Sequence, residues 1–143
     1  MIIYFSLLKG ENVSTAEVEA VIQKVTKLSD CVVFGVNVNG CEGKAGMAVI
    51  AGMDNGSTTL DMTQLARELY RLLPPYAVPV FIRLTNRIEV TGTYKLLKND
   101  LAKIGYSIHL TFDPIYYLDS KLKDYIAIDE RIYQDIENGA IKF

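Results

Sequence analysis

The chain has 143 residues, half of them hydrophobic and 22% charged, with a formal net charge of −2. That size and balance fit one globular domain able to bury its own core, and the spread of Lys and Arg gives no electrostatic case for nucleic acid. Two cysteines, Cys31 and Cys41, and one histidine, His109, fit neither a disulfide framework nor a His/Cys metal centre, and point to a reducing compartment.

The apolar start, Met1 to Leu8, is too short to span a bilayer and lacks the basic opening of a signal peptide, so it reads as a buried strand or a cut edge. Ser14-Thr15-Ala16-Glu17 is a capping box. Val18, Val21, Ile22 and Val25 then form one apolar stripe, which predicts a helix over 15–28. Lys24 and Lys27 sit where the helix dipole favours cations. Residues 31–38 are rich in β-branched side chains and predict a strand; Asn39-Gly40 is a turn, and a second strand over 47–51 pairs antiparallel with the first. Asp61 caps a second helix with Met62, Leu65, Ala66, Leu69 and Leu73 on its apolar face, stopped by Pro74-Pro75. A third strand covers 78–84, with Pro79 at its entry. Residues 89–95 read as a polar turn, followed by a short helix over 98–104 that Gly105 ends. Strand candidates at 116–118 and 125–128 precede a last helix from about Asp129 to Gly139. The pattern predicts an α+β domain, a small mostly antiparallel sheet covered by helices.

Catalytic constellations are scarce among these residues. No Ser-His-Asp set, H-E-x-x-H motif or paired-Cys motif is present. Gly56-Ser57-Thr58-Thr59 has the composition of a phosphate loop but no lysine, and reads as a solvated loop before a capped helix. His109 reads as a packed or exposed side chain, and the nine tyrosines as core and surface residues.

Five segments in order resemble one family. Lys9-Gly10-Glu11-Asn12-Val13-Ser14-Thr15-Ala16-Glu17-Val18-Glu19 is similar to the motif beyond the hinge of adenylate-forming enzymes. Val33-Phe34-Gly35-Val36 with Glu42-Gly43-Lys44-Ala45-Gly46, then Leu73-Pro74-Pro75-Tyr76-Ala77-Val78-Pro79, resemble their sheet and loops. Thr91-Gly92-Thr93-Tyr94-Lys95-Leu96-Leu97-Lys98 resembles the late motif that carries the adenylation lysine, and the tail from Asp113-Pro114 to Asp129 continues the match. Together these identify the chain as a member of the fatty acid transport protein and very long-chain acyl-CoA synthetase family, in its carboxy-terminal domain. Most adenylate-forming enzymes have Gly and Arg where Tyr94 and Lys98 stand here, a departure this branch tolerates. Residues 1–8 do not resemble the hinge that precedes Gly10 in the family, and the usual hinge Asp is missing.

The resemblance implies one carboxy-terminal domain over 1–143, whose partner is an amino-terminal adenylation domain that this chain does not include. It implies a ligase that uses ATP with Mg to adenylate a fatty acid, then transfers the acyl group to coenzyme A, linked to fatty acid uptake. Lys95 is implied as the catalytic residue, Gly10 as the residue lining the coenzyme A tunnel, and Thr91 as support for the lysine loop, with no metal held by this domain. The chemistry suits these residue types. An ammonium stabilises charge where a carboxylate attacks a phosphate, and a residue without Cβ lets a thin pantetheine arm pass close to backbone. Arg83 and Arg87 are minor candidates for a coenzyme A phosphate. The family implies association with the endoplasmic reticulum or plasma membrane through the missing part, with this domain facing the cytosol and inactive alone. The alternative is a free-standing, non-catalytic interaction or regulatory module with the same fold.

Overall fold

The structure, a computed structural model, describes residues 4–6, 12–28, 30–39, 43–52, 60–90, 92–141 and 143. Two short strands, β1 (Tyr4–Ser6) and β2 (Asn12–Ser14), pair antiparallel and lead into α1 (Thr15–Thr26). Ser14 is the N-cap, as the capping box requires; its Oγ accepts from the Glu17 amide at 3.4 Å. The helix ends two residues early, because Lys27 takes a left-handed conformation (φ 60°) and bonds back to the Gln23 carbonyl.

Five strands form the main sheet: β3 (Cys31–Val36), β4 (Ala45–Ala51), β5 (Phe81–Thr85), β6 (Ile115–Asp119) and β7 (Asp124–Ala127), arranged side by side in chain order. Every neighbouring pair is antiparallel except β4–β5, which is parallel because α2 (Met62–Leu72) carries the chain across between them. The mostly antiparallel α+β reading therefore holds. The third strand starts later than its β-branched run suggests. Val78 to Val80 form a lead-in after a 3₁₀ turn at Pro75–Ala77, where the Val80 amide bonds to the Gly46 carbonyl.

Both faces of this sheet are buried, and side-chain alternation sorts them. Val33, Ala48, Ile82 and Tyr116 are successive register partners on one face, where they join Val18 and Ile22 of α1 and Leu65 and Leu69 of α2. Phe34, Met47, Phe81, Tyr117 and Ile126 form the matching row on the other face. That face is covered by α3 (Tyr94–Ile104) through Leu97, and by α4 (Glu130–Glu137) through Ile136. Phe81, fully buried, stacks on Tyr106 with ring centroids 4.7 Å apart. Asp61 and Asp129 cap α2 and α4, accepting from the amides of Gln64 at 3.0 Å and Ile132 at 2.8 Å.

The helix α3 differs most from expectation. It begins at Tyr94, four residues before the predicted start, because Thr93 is an N-cap whose Oγ1 accepts from the Leu96 amide at 3.2 Å. Gly92 before it has φ 90°, a backbone shape that glycine adopts without strain.

Candidate functional site

Lys95 lies on a helix and not on a protruding loop. It is the second residue of α3, and Thr93, Tyr94, Lys95 and Leu96 are all exposed. An ammonium in the first turn opposes the helix dipole, which favours anions there by about 0.3–1 kcal/mol. The first turn holds no acidic residue, and Lys95 makes no ion pair with a described residue. Helix stability alone therefore gives no reason for a lysine at this position. An exposed cation at the positive end of a helix makes a corner suited to an anionic group, such as a phosphate or a carboxylate.

Beneath Lys95 lies a polar cluster that joins α3 to α1. The Glu19 carboxylate accepts from the Val33 amide at 2.8 Å and from the Tyr94 hydroxyl at 3.1 Å, both through Oε2. Lys98 donates from Nζ to Thr15 Oγ1 at 3.1 Å, and its Nζ is 3.7 Å from Glu19 Oε2. Thr15 and Glu19 share one face of α1 by their i, i+4 spacing, as Tyr94 and Lys98 do on α3. Burial lowers the Lys98 pKa, and the Glu19 charge opposes that fall. Burial raises the Tyr94 hydroxyl, with the Glu19 charge and hydrogen bond adding to it. Cys31, buried nearby, is pushed up to about 12, first by burial and then by the Glu19 charge.

Gly10, Thr91 and the Gly56–Thr59 segment lie outside the described residues. The structure brings neither arginine to a ligand-ready position. Arg83 is held by Asp113 Oδ2 through Nε and Nη2, both at 2.9 Å, and Arg87 pairs with Glu89. His109 Nε2 lies 2.6 Å from Glu130, with the imidazole edge-on to Tyr133, so it is a paired surface residue. Among the described residues no group of three His, Cys, Asp or Glu could hold a metal, and no helix is long and apolar enough to cross a membrane. The sequence reading singles out neither Glu19 nor Thr15 as a site residue, and it puts Lys98 at the start of the helix over 98–104. The available signal was a polar i, i+4 pair beside the apolar stripe of α1.

The AMP-binding enzyme C-terminal domain matches residues 17–95, more than half of the chain, and the chain belongs to that family. It is 41% identical over 132 residues to long-chain fatty acid transport protein 1 of Homo sapiens, covering 92% of this chain and 20% of that protein. Long-chain fatty acid transport protein 6 of Homo sapiens is 39% identical over 134 residues, covering 94% and 21%. The chain thus spans about a fifth of the length of the curated relatives it matches. The fold resembles that of coronafacic acid ligase from Pectobacterium brasiliense, with a TM-score of 0.63 and 19% identity over 80% of this chain and 21% of that one. It also resembles o-succinylbenzoate CoA synthetase from Bacillus subtilis, with a TM-score of 0.55 and 24% identity over 70% and 19%.

Proposed function

We propose that the chain is the carboxy-terminal domain of a long- or very long-chain fatty acid–CoA ligase, with Lys95 as its adenylation lysine. The observation that carries the reading is the exposed ammonium of Lys95 in the first turn of α3, inside a matched family segment that ends on this residue. In this reading the fatty acid carboxylate attacks the α-phosphorus of ATP, accompanied by Mg, and pyrophosphate leaves. The thiol of coenzyme A then attacks the acyl carbon, and AMP leaves. Lys95 serves the first step by neutralising charge that builds where two anions meet, aided by the positive end of α3. Gly10 serves the second step by leaving room for pantetheine, and Thr91 supports the segment that carries the lysine. The ATP and acyl pockets belong to an amino-terminal partner domain, so the 143-residue chain alone makes no acyl-CoA. The relatives' names favour a link to fatty acid transport. In this reading the complete protein works at the endoplasmic reticulum or plasma membrane, with this domain on the cytosolic side.

The test is Lys95→Ala in the complete ligase, with the two half-reactions measured separately. Pyrophosphate release should fall about 10²–10³-fold, the usual effect of removing one preorganised donor to developing charge. Transfer from preformed acyl-adenylate to coenzyme A should persist. Lys98 is unsuited as a control because it is tied into the cluster under α3; Lys103, on the same helix with an 80% exposed side chain, serves instead. Parental adenylation by Lys95→Ala, or equal damage from Lys103→Ala, would favour the non-catalytic module.

A further inference from the structure

The orientation of Lys95 is set by α3, and the start of α3 is tied down at one point. Tyr94 and Lys98 flank Lys95 in sequence and share one face of the helix, and both converge on Glu19 of α1. Glu19 is anchored in turn to the sheet by the Val33 amide at 2.8 Å, and Lys98 to α1 by Thr15 at 3.1 Å. The side chain of Glu19 is 16% exposed and that of Lys98 10%, so the bonds to Val33 and Thr15 form largely out of water, where they are stronger, while the Tyr94 bond lies at the surface. Lys95 itself contributes no described ion pair that could fix it. We propose that Glu19 is the positioning residue for Lys95: through Tyr94 and Lys98 it holds the first turn of α3 against α1 and the β3 edge. This rests on the adenylation role proposed above for Lys95. It adds a specific dependence, since the geometry of the adenylation lysine is set by a carboxylate 76 residues earlier in the chain that does not touch substrate. A positional error of about 1 Å in a catalytic group can cost about 10²-fold in rate. A tether at the base of the helix therefore acts on kcat rather than on binding.

The experiment uses the complete ligase with four variants: Glu19→Gln, Tyr94→Phe, the double variant, and Ile136→Val in the core on the other face of the sheet. Glu19→Gln keeps the side-chain shape and removes the charge that meets Lys98; Tyr94→Phe removes one hydroxyl from a 43% exposed residue and so tests the tether where folding is little disturbed. Adenylation at saturating ATP and fatty acid should fall about tenfold for Glu19→Gln and about threefold for Tyr94→Phe, with both KM values unchanged. Thioester formation from preformed acyl-adenylate should proceed at the parental rate. The double variant should be no slower than Glu19→Gln, because Tyr94 acts through that carboxylate. Ile136→Val should leave the ratio of the half-reactions unchanged. If both half-reactions fall together in the Glu19 and Tyr94 variants, or neither falls, the positioning role is refuted. Lys95→Ala in the same assay separates the two readings. If that variant loses adenylation while Glu19→Gln and Tyr94→Phe keep it, the positioning role alone fails. If Lys95→Ala keeps it, the adenylation reading fails and takes the positioning role with it.

Discussion

Replacing Lys98 by methionine removes its ammonium while keeping most of its apolar stem, so the stability change reports the charge and not the packing. Three contributions compete. Losing the 3.1 Å bond to Thr15 costs about 1 kcal/mol, by the usual net value of a hydrogen bond. Glu19 loses a cation at 3.7 Å but keeps the Val33 amide and the Tyr94 hydroxyl, so the full 3–5 kcal/mol typical of a broken buried pair does not apply. Removing a buried ammonium, whose pKa burial already depresses, returns part of the loss. The balance is a destabilisation of about 1–2 kcal/mol, or a fall in melting temperature of about 3–6 °C for a chain this long. Lys95→Met should stay within about 0.5 kcal/mol of the parent, and it also removes an unfavourable charge from a helix start. Thermal unfolding of the two variants side by side is the assay. Equal shifts, or a Lys98→Met variant more stable than the parent, would refute the view that the Lys98 contacts outweigh its desolvation.

Two further outcomes concern Gly10 and Cys31. Gly10→Leu in the complete ligase should spare pyrophosphate release and sharply reduce thioester formation, both read from the half-reactions; equal loss of both would mark misfolding or a mistaken assignment. Cys31 is held protonated from its ordinary 9.0 up to about 12, so the folded chain binds more protons than the unfolded one between those values. Its contribution to stability is complete below pH 9 and disappears as pH rises toward 12. Urea unfolding between pH 9 and 10, below the range of the raised tyrosines, should show stability falling with pH in the parent and a flatter profile in Cys31→Ala.

Much of this fold was legible because its signals are local. Ser14, Asp61 and Asp129 each stand before a helical stripe and each proves to be a cap, since a short polar side chain in extended backbone can reach the free amides of the next turn. The strands announce themselves through Val and Ile runs that only a sheet buried on both faces can hold. The first turn of α3 was hidden because Tyr94, Lys95 and Leu96 are all exposed and carry no stripe, while Gly92 gives the segment the look of a loop. The Glu19 cluster was hidden for another reason. Its partners are 83 and 75 residues apart in the chain, and no local pattern tells which helix a polar pair will meet. The parallel step between β4 and β5 likewise depends on where α2 returns the chain.

The bond from Glu19 to the Val33 amide also bears on how the domain behaves in company. Among the described strands of the five-stranded sheet β3 pairs with β4 alone, and its other margin, which β1 approaches, is a sheet edge. A carboxylate already seated on one of the β3 amides, with α3 held against the same strand, takes the middle of that edge out of reach. An open sheet margin is where strands of separate molecules add to one another. Variants that lose Glu19 should therefore be examined for self-association at high concentration as well as for rate.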